Sequence, residues 1–246
     1  MIPANKSALF SRVFAWDCER RLRRSFEAVY GAGIGSLGES LQRGPVLVVT
    51  NHTAWWDALL AIFVSVRVLR ADAYAMMDAA NLARFPFFAK VGAFGVDLAD
   101  PADGARAIRH AAKLLAAGRR LVWVFPQGRE VPVTVRPVAF RPGSAEIARV
   151  ARGAAVVAGA IRYEMGATAR PTVWLSFGPE MPRAGTAPDA RRVQEQAVTR
   201  ELDRIEGAVA RGETEGFTPL LAPRRDRLFS VAQRALAFMT RPKLQR

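Results

Sequence analysis

The sequence predicts an α/β fold with a mostly parallel central sheet flanked by helices, and with amphipathic helices at both ends. Short apolar segments typical of buried strands alternate with segments of helical periodicity, as in sheets joined by crossover helices. Two strand segments, Val46–Thr50 and Leu121–Phe125, run into loops rich in polar groups. Because ligands of open α/β sheets bind beyond the carboxyl ends of strands, these two loops are the first candidates for a site.

The composition indicates one main globular domain. The chain has 246 residues, of which 50% are hydrophobic, enough for a sizeable core. We predict an N-terminal amphipathic helix and Gly-rich break over residues 1–38, a main domain over 39–211, and a linker with a basic amphipathic helix over 212–246. The single cysteine, Cys18, excludes an internal disulfide framework and a cysteine-ligated metal cluster. No cofactor or metal is expected.

The charge of the chain points to an anionic partner. A formal charge of +14 favours a nucleic acid, a membrane surface or a charged substrate. A different explanation stays open, since only four basic residues are lysine and a chain rich in Ala, Gly, Pro and Arg can reflect a biased genome. No segment has the ~20 apolar residues that span a bilayer, and no secretory signal is evident. Any membrane contact is therefore expected to be peripheral.

The N-terminal segment 7–30 has apolar residues at helical spacing and five arginines on the remaining positions. Two interpretations are open: a surface helix packed on the core, or a basic helix lying among lipid headgroups. Gly31–Gly38 follows as a flexible break. It contains a Gly-x-Gly-x-x-Gly spacing, but a dinucleotide fingerprint follows a strand and opens a helix, and here the order is reversed.

The rest of the chain is predicted to alternate between helices and strands. After the strand Val46–Thr50, the predicted elements are a helix over 57–69, a strand Ala73–Met77, a Pro86-interrupted helical segment Asn81–Val91, a strand Gly92–Leu98, a helix Pro101–Ala117 and the strand Leu121–Phe125. The second half is predicted to contain a helix Ser144–Arg152 capped by Ser144, strands Ala154–Ile161 and Thr172–Phe177, a helix Pro188–Ala210, a linker Gly212–Pro223 and a basic helix Arg224–Thr240.

The first loop carries His52, one of only two histidines in the chain, and Asp57 five residues later. Positions five apart do not face each other on a regular helix, so the two meet only if His52 lies on the loop and Asp57 in the first helical turn. Asp57 then accepts a hydrogen bond from one imidazole nitrogen and leaves the other free to take a proton. The alternative is a capping aspartate beside a structural histidine.

The second loop is Phe125–Glu130, with the sequence FPQGRE. A Pro-Gly turn there would direct backbone amides and Arg129 into the same crevice as His52. The alternative is an ordinary turn that ends a strand.

Together these residues resemble the glycerolipid acyltransferases typified by lysophosphatidic acid acyltransferase. The family's first block is NHxxxxD, here Asn51, His52 and Asp57, and its third is FPEGTR, here FPQGRE. The segment 92–97 resembles the second block, 140–145 the segment after the third, and 156–161 the last apolar block. The resemblance covers roughly Pro45–Phe177, and the blocks occur in the family's order.

The resemblance implies transfer of a fatty acyl group from acyl-CoA or acyl carrier protein to a lipid hydroxyl, as in phospholipid biosynthesis. His52 would be the base and Asp57 its orienter, with no covalent acyl-enzyme. The implied partners are an acyl thioester, a lipid acceptor and an anionic membrane surface, with the protein attached peripherally to the inner face of the cell membrane on the cytoplasmic side. The resemblance implies substrate contacts for these residues: Asn51, Phe125, Pro126, Gln127, Gly128, Arg129 and Arg141.

The chain departs from the family at its basic positions. The family's glutamate and threonine of the third block are Gln127 and Arg129, and its final arginine is Glu130. The arginine usual at the end of the second block is Leu98. Arg129, Arg136 or Arg141 could replace these groups, but the simpler expectation is an acceptor less charged than lysophosphatidic acid.

Two other functions remain possible at this point. A catalytically lapsed relative that binds lipid would fit the altered third block, although His52 and Asp57 are intact. A nucleic-acid-binding protein would fit the charge, but no recognition motif accompanies the Arg-rich ends. No nucleic acid partner is therefore expected.

Overall fold

A computed structural model describes residues 1–223, and the predicted helix Arg224–Thr240 lies outside the described residues. The elements are α1 Ala8–Ser25, β1 Val29–Ala32, α2 Ile34–Arg43, β2 Val46–Thr50, α3 Trp56–Ile62 continued by a π-helical segment Phe63–Val68, β3 Asp72–Asp78, α4 Ala79–Arg84 and a 3₁₀ helix Pro86–Val91. They continue with β4 Ala93–Val96, α5 Pro101–Ala116, β5 Arg120–Val124, α6 Gly143–Val150, β6 Ala155–Glu164, β7 Thr172–Glu180, α7 Ala187–Arg211 and β8 Thr218–Leu221.

The described strands form one eight-stranded sheet in the order β4-β3-β5-β2-β6-β7-β1-β8. The pairings from β4 to β6 are all parallel, and so is that of β1 with β7. Only β6 with β7 and β1 with β8 are antiparallel among these pairs. The predicted α/β class with a mostly parallel sheet is confirmed.

The central strand β2 is buried on both faces, as expected of a strand covered by helices on both sides. Val46 and Val48 pack in a core that contains residues of α1, α2 and α3. Leu47 and Val49 point the other way, into a core built with α5, α6 and α7. This alternation follows from the two-residue period of a strand, and it places the end of β2 in the middle of the molecule.

Several element predictions were wrong. The segment predicted as a flexible break contains the end of β1 and the first half of α2, with Gly33 at a left-handed φ of 70° between them. A side chain at Gly33 would clash with the carbonyl of Phe177, so this turn requires glycine. The predicted linker after α7 contains β8, which pairs with β1. Ser144 does not cap α6, because its hydroxyl donates to Gln194 in the interior.

Candidate active site

His52 lies directly after β2, where the chain leaves the buried strand for the loop before α3. Its Nδ1 is 2.7 Å from Asp57 Oδ2, and Asp57 is fully buried in the first turn of α3. The imidazole is only 21% exposed. With Nδ1 bonded to a carboxylate, the tautomer with a free Nε2 is favoured, and Nε2 is then the nitrogen that can accept a proton.

The Asp57 carboxylate also holds the loop itself. Its Oδ2 accepts the backbone N–H groups of Thr53, at 2.7 Å, and of Ala54, at 3.1 Å. These amides lie just before the helix, where a negative charge is also favoured by the helix dipole. The orienting carboxylate is thereby fixed relative to the imidazole by the same turn that carries it.

The loop after β5 contacts the other side of His52. Gln127 Oε1 accepts the backbone N–H of His52 at 2.6 Å, and the His52 carbonyl accepts the N–H of Val131 at 2.8 Å. The ring of Phe125 packs against the imidazole with centroids 4.9 Å apart. The loop that contains the FPQGRE segment therefore supports both the backbone and the ring of His52.

Gly128 forms the turn of this loop at a left-handed φ of 70°. This φ favours glycine, and a Cβ there would lie 2.8 Å from Arg141 Nε, so the arginine side chain would have to shift. Beyond the turn, Arg129 and Glu130 are exposed and line a cavity beside His52. Glu130 Oε1 lies 3.8 Å from His52 Nε2.

A cavity of about 620 Å³ opens at His52 and extends along the sheet face that α1 and α3 cover. Its walls are mainly apolar, with aromatic rings and small side chains among the lining residues. Charged side chains occur as well: Arg21, Asp78, Arg84, Arg129 and Glu130. Such a cavity fits a long apolar ligand whose polar end lies at His52.

The structure separates the predicted site residues into two groups. His52, Phe125, Gly128 and Arg129 line the cavity, whereas Asn51, Pro126, Gln127 and Arg141 do not. The Asn51 side chain is buried, and it donates to the Ile161 carbonyl at 2.9 Å and accepts the Ile161 N–H at 2.8 Å. Arg136 also lies away from the cavity, near Glu206. Of the three arginines considered as substitutes for the family's cations, only Arg129 lines the cavity.

Some residues of the site were not predicted. Tyr163 donates from its hydroxyl to Asp57 Oδ1 at 2.5 Å. Arg21 and Arg84 reach the cavity from α1 and α4. Neither arginine belongs to a recognisable motif, and no sequence signal could have found them, since only the packing of the helices brings them to the cavity.

Comparison with solved structures supports the fold. The crystal structure of the 1-acyl-sn-glycerophosphate acyltransferase PlsC from Thermotoga maritima matches with a TM-score of 0.58 at 18% identity, over 80% of each chain. The Legionella pneumophila ATPase DotB matches with a TM-score of 0.39 at 7% identity, over 82% of this chain and 63% of that one. The latter similarity is too weak to indicate a common fold.

No curated protein matches the chain at a significant level. The model of the family described as Acyltransferase matches residues 36–162, which is more than half of the chain. The matched segment contains His52, Asp57 and the loop Phe125–Glu130, the residues that the fold brings together. The chain therefore belongs to the acyltransferase family, and the protein is an acyltransferase.

Proposed function

We propose that the protein transfers a fatty acyl group from an acyl thioester to a hydroxyl of a lipid acceptor, with His52 as the general base and Asp57 as its orienter. The observation that carries the proposal is the 2.7 Å contact between His52 Nδ1 and the buried Asp57 carboxylate, beside a cavity of about 620 Å³ whose walls are mainly apolar. The donor is acyl-CoA or acyl carrier protein.

The cavity is suited to the acyl chain of the donor. An apolar chain gains free energy from leaving water for a wall of Phe, Leu, Ile and Val side chains. The cavity wall includes Ala73, Ala75 and Trp123, with the Trp123 indole donating to Ser65 at 2.9 Å. That hydrogen bond satisfies both polar groups and leaves the wall apolar. The thioester would then lie near His52.

The proposed reaction needs two proton transfers, to His52 and back from it, and no covalent enzyme intermediate. His52 Nε2 takes the proton of the acceptor hydroxyl as its oxygen attacks the thioester carbonyl, and the carbon–sulfur bond breaks when the tetrahedral intermediate collapses. The thiolate leaves and recovers the proton from the imidazolium. The only cysteine, Cys18, is buried in α1, and burial raises the pKa of its thiol to about 12, which makes it a poor nucleophile.

The acceptor is proposed to carry less negative charge than lysophosphatidic acid. Its hydroxyl must approach His52 Nε2, and the Glu130 carboxylate lies 3.8 Å from that nitrogen. Leu98, where the family has an arginine, lines the same cavity. A phosphate monoester would be repelled by Glu130 and would lack the cation that the family has at the position of Leu98. An esterified lysophospholipid, a glycolipid or another lipid alcohol therefore fits better. Arg129 also lines the cavity, and its positive charge would attract a phosphate.

The protein is proposed to work at an anionic membrane surface. The outward face of α1 exposes Leu9, Val13 and Trp16, which are 73%, 58% and 53% exposed, at helical spacing. Arg12 and Arg24 on the same helix have no ion pair among the described residues. Exposed apolar groups flanked by free cations are typical of helices that lie in a lipid interface. None of the helices within residues 1–223 has both the length and the apolarity needed to cross a bilayer.

Exposed aromatic rings also lie at the cavity. Phe85 and Phe87 line it and are 39% and 36% exposed, and Phe87 packs against Phe14 of α1 with ring centroids 5.3 Å apart. These rings offer a lipid acceptor an apolar entry to the cavity.

The release of free thiol from acyl-CoA and acyl carrier protein, with and without lipid acceptors in vesicles, tests the proposed function. Acceptor-dependent thiol release that is lost in His52→Ala is the expected result. Lipid binding without thiol release would indicate a protein that has lost catalysis.

A further inference from the structure

The two oxygens of Asp57 have different hydrogen-bond partners. Oδ2 interacts with His52 Nδ1 and with the amides of Thr53 and Ala54, all within the same loop. Oδ1 accepts from Tyr163, which comes from β6, more than a hundred residues away in sequence. Tyr163 is the only donor to Oδ1 among residues 1–223. Without it, one oxygen of a fully buried carboxylate would be left unpaired.

The strand β6 holds the catalytic loop at both ends. At the start of the loop, the backbone of Ile161 binds both polar atoms of the Asn51 side chain. At the end, the Tyr163 hydroxyl binds Asp57. The tyrosine ring is itself fixed by Phe26 at the end of α1, with centroids 5.6 Å apart. The hydroxyl is therefore held in place from outside the loop that it supports.

The Tyr163 hydroxyl is a permanent donor. Burial raises the pKa of this phenol far above its ordinary value, and the negative charge of Asp57 raises it further. The phenol consequently keeps its proton over the whole working range of pH. A hydrogen bond from a fixed donor stabilises the charged form of a carboxylate and withdraws some of its negative charge from other partners.

We propose that Tyr163 is a positioning residue for acyl transfer, which acts on His52 through Asp57. Its hydroxyl fixes the rotation of the Asp57 carboxylate, so that Oδ2 faces Nδ1, and it limits how strongly the carboxylate attracts the imidazolium proton. His52 then returns that proton readily to the leaving thiolate. This proposal rests on the proposed role of His52 as the base, but the effect of Tyr163 on the imidazole can be measured without substrate.

Replacing Tyr163 by phenylalanine removes the hydroxyl and keeps the ring that packs on Phe26. The carboxylate of Asp57 then interacts more strongly with a protonated His52, so the imidazole should titrate at higher pH. The other charged groups that face His52 or line its cavity are unchanged by this substitution: Arg21, Asp78, Arg84, Arg129 and Glu130.

The direct test is an NMR titration of the histidine side chains of the full chain. The protein has two histidines, so a His52→Asn variant identifies the signal of each. We expect the midpoint of the His52 titration to rise by about half a unit or more in Tyr163→Phe. Tyr30→Phe is the matched control, because Tyr30 stacks on Trp174 away from the cavity. An unchanged or lowered midpoint in Tyr163→Phe overturns the proposal.

A second variant covers the case in which Tyr163→Phe does not fold. Incorporation of 3-fluorotyrosine at position 163 keeps the hydroxyl and makes it a stronger donor, so the His52 midpoint should move to lower pH. A midpoint that stays at the wild-type value overturns the proposal.

Kinetics provide the third measurement. Because Tyr163 does not line the cavity, Tyr163→Phe should lower kcat several-fold and leave the KM values of donor and acceptor unchanged. The acid limb of the pH profile of kcat/KM should move to higher pH together with the NMR midpoint. A variant with lower thermal stability but wild-type kcat and pH profile would show that the hydroxyl is structural only. If His52→Ala keeps its activity, the proposed function fails, and the titration still reports on Tyr163.

Discussion

The backbone N–H of His52 donates to the side-chain oxygen of Gln127 at 2.6 Å. Gln127 occupies the position where the sequence resemblance has a glutamate, and the resemblance assigned it to substrate binding. In the fold it holds the loop that carries His52, and it is not among the residues that line the cavity. An amide oxygen and a carboxylate oxygen can both accept this hydrogen bond, so the change from glutamate preserves the support.

This contact predicts opposite results for two substitutions of Gln127. Gln127→Glu keeps an acceptor and should retain most of the activity. Gln127→Leu has similar size but leaves the His52 N–H without its partner, and the imidazole should lose its position. We expect a fall in kcat of about ten-fold or more, since small displacements of catalytic groups are costly. The steady-state kinetics of both variants measure the difference, and equal activities would contradict the supporting role.

The proposed base and its orienter, His52 and Asp57, give a second prediction. His52→Ala and Asp57→Asn should each reduce kcat by about a hundred-fold or more, because a positioned base contributes on that order. Circular dichroism and thermal melting check that the folds are intact. His110→Ala is the matched histidine control, since His110 packs on Phe94 away from the cavity and should leave the rate unchanged. Substantial turnover by folded His52→Ala would refute the mechanism.

The acceptor is tested by reversing the charge beside His52. Glu130→Arg should raise kcat/KM for lysophosphatidic acid relative to a neutral glycolipid or an esterified lysophospholipid, because a paired arginine binds a phosphate dianion well. Glu215→Arg makes the same charge change on an exposed residue away from the cavity and serves as the control. If the unchanged enzyme already prefers lysophosphatidic acid, and Arg129→Ala raises its KM selectively, Arg129 binds the phosphate and the proposed acceptor class is wrong.

Membrane binding is predicted to depend on the exposed face of α1. Replacing Leu9, Val13 and Trp16 together by serine should reduce co-sedimentation with anionic vesicles, because each loses apolar area that the lipid would bury. Serine at Val135, Val150 and Met165 is a matched control, since these side chains are similarly exposed elsewhere. Equal co-sedimentation of the two triple variants would exclude α1 as the docking surface.

The segment 224–246 contributes to the same prediction through its charge. It contains seven basic residues and one acidic residue, Asp226. Each basic residue near an anionic surface contributes about 1 kcal/mol, so deletion of this segment should also weaken vesicle binding, and added salt should reduce the difference. Unchanged co-sedimentation of the deletion variant would show that the segment 224–246 does not contribute to vesicle binding.

The stability of the fold should depend on pH through Asp103. The backbone N–H of Asp97 is the main cause that lowers the pKa of this carboxyl to about 2, and Arg106 supports it. The unfolded value is about 3.9, so the stabilisation is fully present above that pH and is lost as the pH falls through about 2. Asp103→Asn should therefore lower Tm at neutral pH, and the difference from wild type should disappear towards pH 2. Thermal melts across this range measure it, and a constant difference would contradict the assignment.

The sequence by itself determined the class of the fold and the contact between His52 and Asp57. The strand Val46–Thr50 is an almost continuous apolar segment, which is typical of a strand covered on both faces. The spacing between His52 and Asp57 allows contact only if a loop meets a helix start, and the structure has that arrangement. These predictions succeeded because they rest on local rules, namely the period of a strand and the geometry of the first helical turn.

The tertiary structure decided the rest. The strands β1 and β8 are too short to be recognised from the sequence. Only their pairing, at the edge of the sheet, identifies them as strands. The two-residue period puts Tyr163 on the same face of β6 as Ile161. Its distance from Asp57, however, depends on β6 being the neighbour of β2 in the sheet order. The packing of the whole chain decides which strands are neighbours in a sheet. Tyr163 lies more than a hundred positions from Asp57, so the sequence around it gave no sign that its hydroxyl would bind the Asp57 carboxylate.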